Sequence, residues 1–298
     1  MTKNPRRTVD HVGRGDVRQG YQATLTPDNA PLSELSVGRI RLDRKGVARY
    51  LGDTDNNEVL LHILVGQCTI EAYGRWGRQT FKQLGERVDV FSGLPTSLVL
   101  GPRTQYTITP VTRTLDLAVA SLPVGRAGRA VPTVIRPQDV QIHTIGEGHY
   151  LRTVREVIGG EGPALRLRAG ETLNPTGLWS SWPHHDFDAN VKLAPQFEEV
   201  FLYFTKPRGG WGLQRRHGLY SSLQQVDDVI VVKNGDAAIL PLAAEPRGLP
   251  PRALRGPSAR SALRRWYGPA RPAAGWPSEW TGPRARPATT RRRCPPSA

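Results

Sequence analysis

The chain reads as all-β: two related barrels in tandem, residues 29–125 and 126–245, between an N-terminal segment (1–28) and an irregular Arg/Pro-rich tail (246–298). Three observations predict this. Short runs rich in Val, Ile, Thr and Leu recur along the body, punctuated by Gly, Pro, Asp or Asn at intervals of about ten residues. No stretch of the first half carries a sustained 3.6-residue apolar period, which an amphipathic helix requires. The same strand-and-turn texture resumes after a Gly/Pro/Arg-rich connector, so the architecture repeats although the sequence shows no obvious repeat.

In the first half the strand segments are VLLHILV (59–65), TSLVLG (96–101), QYTITPV (105–111) and LDLAVASL (115–122). The connector is SLPVGRAGRAVPTVIRP (121–137). Beyond it, Ala164, Leu165, Arg166, Leu167 and Arg168 alternate with the period of two expected of a half-buried strand. EEVFLYFT, GGWGLQRR and VDDVIVVKNGDAAILPL complete the second set. From about Ala243 no period survives. The tail holds 11 Pro in 53 residues, and ordering it would cost roughly 1–2 kcal/mol of backbone entropy per residue against little apolar burial. Disorder is the expectation there.

The formal charge of +15 on 298 residues invites a nucleic-acid reading, but it is unevenly spread. Residues 246–298 carry 12 Arg, no Lys and one Glu, a net +11, which leaves +4 for the body. That tail shows no recognition fold, so phosphate contacts are not its expected role. Two cysteines, Cys68 and Cys294, make no disulfide framework and fit a reducing compartment. The N-terminal residues lack the apolar run of a signal peptide, and no run approaches the roughly 18 apolar residues that span a bilayer. The expected location is the cytoplasm, with no membrane partner.

Chemistry concentrates in the second half. WSSWPHHDFD (179–188) places His184 and His185 side by side with Asp186 and Asp188, and FEEVFLYF follows with Glu198 and Glu199. KNGDAAILPL (233–242) leads through a Gly-Asp turn into a strand, with Pro241 six positions after Gly235. These residues resemble the cupin superfamily, whose His-x-His, Glu and later His meet inside a small barrel around one divalent metal. More narrowly, WSSWPHHDFD, FEEVFLYF, GGWGLQRR and VVKNGDAAILP look like the 5-deoxy-glucuronate isomerases of myo-inositol breakdown, which group with the 5-keto-4-deoxyuronate isomerases. LGERVDVFSGLPTSLVLGP (84–102) is similar to that family's first barrel, and the resemblance covers about residues 30–242.

The resemblance implies a tandem cupin and an aldose–ketose isomerase. The reaction would convert 5-deoxy-glucuronate to 5-dehydro-2-deoxy-gluconate, assisted by zinc or manganese. The metal ligands it implies are His184, His185 and Glu199. Glu199 matches the acidic ligand, and Glu198, its neighbour on the strand, faces the other way. At the His-x-His position the sequence departs from the family. An extended backbone offers His184 with Asp186, or His185 alone, and only an irregular chain at Pro183 lets both histidines reach one ion. Gln214 and Arg215 resemble the family's Gln-Arg pair, expected inside the barrel where an Arg fork holds a carboxylate of the sugar-acid substrate. The catalytic base is not identified by sequence. His11, His62, His143, His149 and His217 show no partner pattern and read as structural.

The family's fourth ligand, a His-Pro pair shortly after the motif's Pro, is replaced by Glu245-Pro246. Codons CCC CGT GGT CTC CCC would encode Pro246–Pro250; preceded by CA and read in another frame they give His-Pro-Val-Val-Ser. A small deletion just after Glu245 would therefore account for the tail as a GC-rich gene read out of frame, an expectation that re-sequencing tests. Two alternatives stand beside the isomerase: a degraded or truncated cupin without activity, and an isomerase acting on another uronate. Self-association into a homo-oligomer is compatible with either.

Overall fold

The computed structural model describes residues 11–12, 19–46, 49–125, 131–180, 197–219, 225–240, 242–243 and 260–269, the backbone alone for 11–12, 197, 219, 242–243 and 260–269. The strands are β1 (His11–Val12), β2 (Gly20–Leu25), β3 (Ser36–Asp43), β4 (Tyr50–Asp53), β5 (Asn57–Val65), β6 (Cys68–Gly74) and β7 (Gly77–Leu84). There follow β8 (Ser97–Leu100), β9 (Gln105–Pro110), β10 (Thr114–Pro123), β11 (Thr133–Ile135), β12 (Gln141–Ile145), β13 (Arg152–Ile158) and β14 (Arg168–Asn174). The last are β15 (Phe197–Lys206), β16 (Trp211–Leu219), β17 (Gln225–Lys233), β18 (Ala237–Leu240), β19 (Leu242–Ala243) and β20 (Arg260–Pro269). The only described helices are two 3-10 turns, so the molecule is all-β as the punctuated strand pattern predicts.

Four antiparallel sheets pack in layers. A six-stranded sheet, β11-β8-β5-β10-β3-β2, faces a four-stranded sheet, β4-β9-β6-β7. The space between them is filled by Ile40, Leu61, Ile63, Ile70, Ile108 and Leu117 and their neighbours, all fully buried. A seven-stranded sheet, β1-β18-β15-β20-β14-β13-β12, faces a three-stranded sheet, β17-β16-β19, around Phe201, Tyr203, Val232 and Ala238. The two large sheets lie back to back over a third core that draws Leu60, Leu64, Ala118 and Leu122 from one and Ala169, Val200, Leu202 and Ile239 from the other. Strict alternation decides which core each residue joins: on β15, Val200, Leu202 and Phe204 face the junction, whereas Phe201 and Tyr203 face the small sheet.

The halves hold one another reciprocally. Glu58, the second residue of β5, accepts backbone hydrogen bonds from Leu165 (2.7 Å), Arg166 (2.7 Å) and Leu167. Glu198, the second residue of β15, accepts them from Ser33, Glu34 (3.0 Å) and Leu35 (2.9 Å). The donor loops read PLSEL (31–35) and PALRL (163–167), a short repeat, and Arg166 Nη2 pairs with Glu34 Oε2 at 2.6 Å where the two meet. A buried polar knot adds to this seam. Glu171 on β14 accepts from His62 Nε2 (3.0 Å), Arg87 Nη2 (2.8 Å) and Arg155 Nη1 (3.1 Å), while His62 Nδ1 meets Ser97 Oγ at 2.6 Å.

Two sequence expectations are corrected. The alternation in 164–168 does not mark a strand: β14 begins only at Arg168. Residues 165–167 turn their amides onto one carboxylate, and three consecutive N–H groups converging on Glu58 cannot also lie in a ladder. The tail is not irregular throughout either. Arg260–Pro269 forms β20, paired with β14 on one side and β15 on the other. Without it those two strands would present facing unpaired edges, so the sheet's demand for a partner overrides weak local propensity.

Candidate functional site

The chamber between the seven- and three-stranded sheets is where polar and apolar groups meet. Register through β20 aligns Glu199 with Tyr267 and Arg168, Tyr203 with Leu263 and Thr172, and Thr205 with Ser261 and Asn174. Residues directly opposite in antiparallel pairs share a face, so Glu199, Phe201, Tyr203, Arg168, Thr172 and Asn174 line one wall. On β18, Ala238 and Leu240 extend that wall beside Phe201 and Glu199. The opposite wall comes from alternate residues of β16 and β17: Gly212, Gln214 and Arg216 with Asp228, Ile230 and Val232.

Glu198 and Glu199 show how one step along a strand divides two roles. Both are buried. Glu198 is used up by the 33–35 loop on the junction side, while Glu199 turns its carboxylate toward the chamber, on the face shared with Phe201. The corresponding chamber of the first half has no such group. Beside Glu58 stands Val59, packed in a core made of aliphatic side chains, one tyrosine and one cysteine. Among the described residues, the position after the clasping glutamate carries a carboxylate in the second half and a valine in the first.

The expected Gln214–Arg215 pair is separated by the strand. Gln214 faces the chamber, where Tyr203 Oη donates to its Oε1 at 3.1 Å and its Nε2 donates to the Arg215 carbonyl at 2.7 Å. Arg215 lies on the outer face, 43% exposed, with Nη2 at 3.2 Å from Asp227 Oδ1. The inward arginine is Arg216, buried and held by Asp228 (Nε to Oδ1, 2.8 Å). Adjacent residues of a strand point to opposite sides, and that rule applied to GLQRR singles out Gln214 and Arg216 as the pair sharing a face.

His184 and His185 lie outside the described residues, as do Asp186 and Glu245. The segment that leads to them is anchored where it leaves β14: Trp179 N donates to the His149 carbonyl at 2.7 Å. Among the described residues no group of three or more His, Cys, Asp or Glu side chains is placed to hold a metal ion. Glu199 alone of the expected ligands is described, and a buried carboxylate facing a polar-lined chamber suits a hard or borderline cation. Among the described residues no helix is long and apolar enough to cross a membrane.

Three side chains of the chamber wall, Thr172, Asn174 and Arg168, were not singled out by sequence as site residues. Thr172 Oγ1 and Asn174 Oδ1 are buried without a hydrogen-bond partner. Arg168 sits in the register row of Glu199, its Nη1 donating to the Leu167 carbonyl (2.9 Å) and Nη2 to the Gly160 carbonyl (3.0 Å). Burial pulls its pKa below the ordinary arginine value, with Glu58 and Glu156 acting in the opposite sense. The sequence signal that would find all three is the period of two through RAGETLN, counted from the first strand residue.

Comparison with known proteins places these features in a lineage. The model of the KduI/IolB family matches residues 11–251. A 5-deoxy-glucuronate isomerase of Geobacillus thermodenitrificans is 30% identical over 235 residues, which is 78% of this chain and 81% of that protein. The 5-deoxy-glucuronate isomerase of Bacillus subtilis strain 168 is 25% identical over 249 residues, 82% and 86% of the two chains. Among solved structures, an IolB-like protein from Salmonella typhimurium superposes with a TM-score of 0.71 at 22% identity, covering 88% of this chain and 93% of that one. An oxalate decarboxylase of Lactobacillus farciminis shares the fold at 8% identity with a TM-score of 0.52. With the family model covering every described strand but β20, Glu199 on β15 included, this chain belongs to the KduI/IolB family.

Proposed function

We propose that this protein is an aldose–ketose isomerase converting 5-deoxy-glucuronate to 5-dehydro-2-deoxy-gluconate in myo-inositol catabolism in the cytoplasm. The fold is read as a tandem cupin whose second barrel is the working one. The observation that carries the proposal is the placement of Glu199: a buried carboxylate on the chamber wall of a chain whose relatives are 5-deoxy-glucuronate isomerases, while the first half's chamber is filled with hydrocarbon. Glu199, with His184 or His185 or both, would hold a zinc or manganese ion, a mixed imidazole and carboxylate set that suits either. When bound, such an ion polarises the carbonyl and stabilises the negative charge that develops on oxygen as a proton moves between C1 and C2.

The chain's own residues supply the rest. Phe201, Tyr203 and Val232 form the dry floor that keeps water from the enediol. Gln214, fixed by the Tyr203 hydroxyl, presents an amide to the substrate's hydroxyl groups. The test is to purify the full chain, measure divalent metal by mass spectrometry, and assay interconversion of the two sugar acids. About one ion per chain with turnover that a chelator abolishes supports the reading; folded protein with neither sinks it.

A second reading, a cupin that has lost its activity, rests on one observation. The family match ends at residue 251, shortly after the position where Glu245 replaces the expected histidine. A gene sequence carrying His-Pro-Val in the alternate frame, together with a metal-free inactive protein, favours this copy having been shifted out of frame. A chain that turns over a different uronate but not 5-deoxy-glucuronate would instead move the substrate within the same superfamily.

A further inference from the structure

Among the described residues the three-stranded sheet ends on β17. One side of that strand pairs with β16 along its whole length, from Trp211 opposite Lys233 to Leu219 opposite Gln225, with no bulge. Its other side meets no described strand, so it presents a row of backbone donors and acceptors. A regular edge of this kind is a template for another strand, and proteins ordinarily blunt it with charges, prolines or bulges. The first half does so at the equivalent place. There β7 closes the four-stranded sheet, carries Arg78 and Lys82, and loses register with β6 beside Gln83, whose φ is +54°.

The middle of β17 has none of these devices. Val229 to Val232 carry no charge, and the outward-facing Val229 and Val231 are 58% and 50% exposed. Val231 stands opposite Leu213, and Trp211 is next on the same face of β16, so the edge continues into an exposed apolar stripe. The charges lie on either side of the run: Asp227 and Asp228 before it, Lys233 after it. Laid antiparallel on a second copy about a two-fold axis at Ile230, the strand is complementary to itself. Ile230 then faces Ile230, Val229 faces Val231, and Asp227 faces Lys233 at both ends at once. An axis at Val229 would set Asp227 against Val231, and one at Val231 would set Lys233 against Val229, so charge selects the first register.

We infer that two copies of this chain join edge to edge through β17, merging their three-stranded sheets into one continuous outer sheet. A two-fold contact consumes both edges and leaves neither to propagate. Asp227 and Arg215 pair on the outer face, away from the chamber, so the contact stands apart from the isomerase reading.

Asp227→Lys and Lys233→Glu test the contact in the full-length protein, by sedimentation velocity over a concentration series. Both positions are exposed, the Asp227–Arg215 pair lost in one of them is a surface pair of little worth, and circular dichroism checks that each variant folds. The parent is expected to dimerise. Each variant alone sets like charges against one another at both ends and should weaken self-association by about 10- to 100-fold. Mixed in equal amounts, the two variants restore opposite charges at both ends and should associate as tightly as the parent, a rescue that general damage to the fold does not give. If Asp227→Lys does not fold, Lys233→Glu and Val231→Lys carry the test, both weakening association while Leu51→Lys, at an exposed position of the first half, leaves it unchanged.

A monomeric parent overturns the inference, whether hydrogen exchange finds the β17 amides open or covered by another segment of the same chain. A dimer or larger assembly that neither variant weakens puts the contact elsewhere and overturns it as well. Weakening by both variants without rescue in the mixture overturns the register.

Discussion

Consider replacing Glu198 by Gln, beside a parallel Glu199→Gln. The first change keeps the side-chain volume but removes a charge that accepts hydrogen bonds from Ser33, Glu34 and Leu35 amides. The amide's one oxygen can serve part of that set, and its NH2 group is turned against the remaining donor. Leaving a buried donor without an acceptor costs about 1–3 kcal/mol, and each hydrogen bond to a charged group contributes about 1.5–3 kcal/mol. With one donor orphaned and the others weakened, the expected loss is about 3 kcal/mol. For a chain of this size each kcal/mol lowers Tm by about 2–4 °C, so the midpoint should fall by about 6–12 °C. Differential scanning fluorimetry and urea titration of both variants read this directly. Glu199→Gln should leave the midpoint within a few degrees of the parent while abolishing metal retention and turnover. Equal destabilisation by both changes, or a Glu198→Gln midpoint unmoved from the parent, would refute the division of labour between these neighbours.

Three further outcomes are expected. Glu171→Gln strips the counter-charge from Arg87 and Arg155 in a knot where Glu171 is fully buried, and should cost about 3–5 kcal/mol by urea unfolding. Gly66→Ala should destabilise by about 1–3 kcal/mol, because Gly66 has φ +87° and a Cβ there would run into the Thr114 carbonyl. Burial pushes the Cys68 thiol from about 9 up to about 12, so in a Cys294→Ser background Ellman's reagent at pH 8 should find no thiol until the protein is unfolded. The sign follows: the native state holds that proton more tightly than the unfolded chain, so the contribution is whole below about pH 9 and is lost as pH rises from 9 toward 12.

Much of the fold was legible because strands buried on two sides leave strong local marks. VLLHILV, TSLVLG, QYTITPV and LDLAVASL coincide with β5, β8, β9 and β10 to within a residue or two at their ends. What was not legible depends on partners distant in sequence. The alternation of 164–167 is the same whether those amides enter a ladder or close on a carboxylate, and only Glu58, more than a hundred residues away, decides. Likewise β20 forms from a stretch with no pattern of its own, because β14 and β15 need something between them. At the candidate site, the family motif points to Glu199, whereas the place of Thr172 and Asn174 on the same wall required the knowledge of which rows of the sheet they occupy.

The reciprocal clasps also set an order of events for the chain as it is made. When β5 first leaves the ribosome, Glu58 is a charged group with nothing to receive, because residues 165–167 have not been synthesised. The seven-stranded sheet waits longer still: its edge strand, β1, precedes every other strand of the sheet and its central strand, β20, follows them all. The two halves thus mature together only once β20 has been made, and a chain stopped before Arg260 would hold a gap in the middle of a sheet while its earlier half looked complete. Two full-length chains, each laying its β20 or its clasping loops on the other, have the means to close on one another, so exchange between copies is the error to be expected of this architecture.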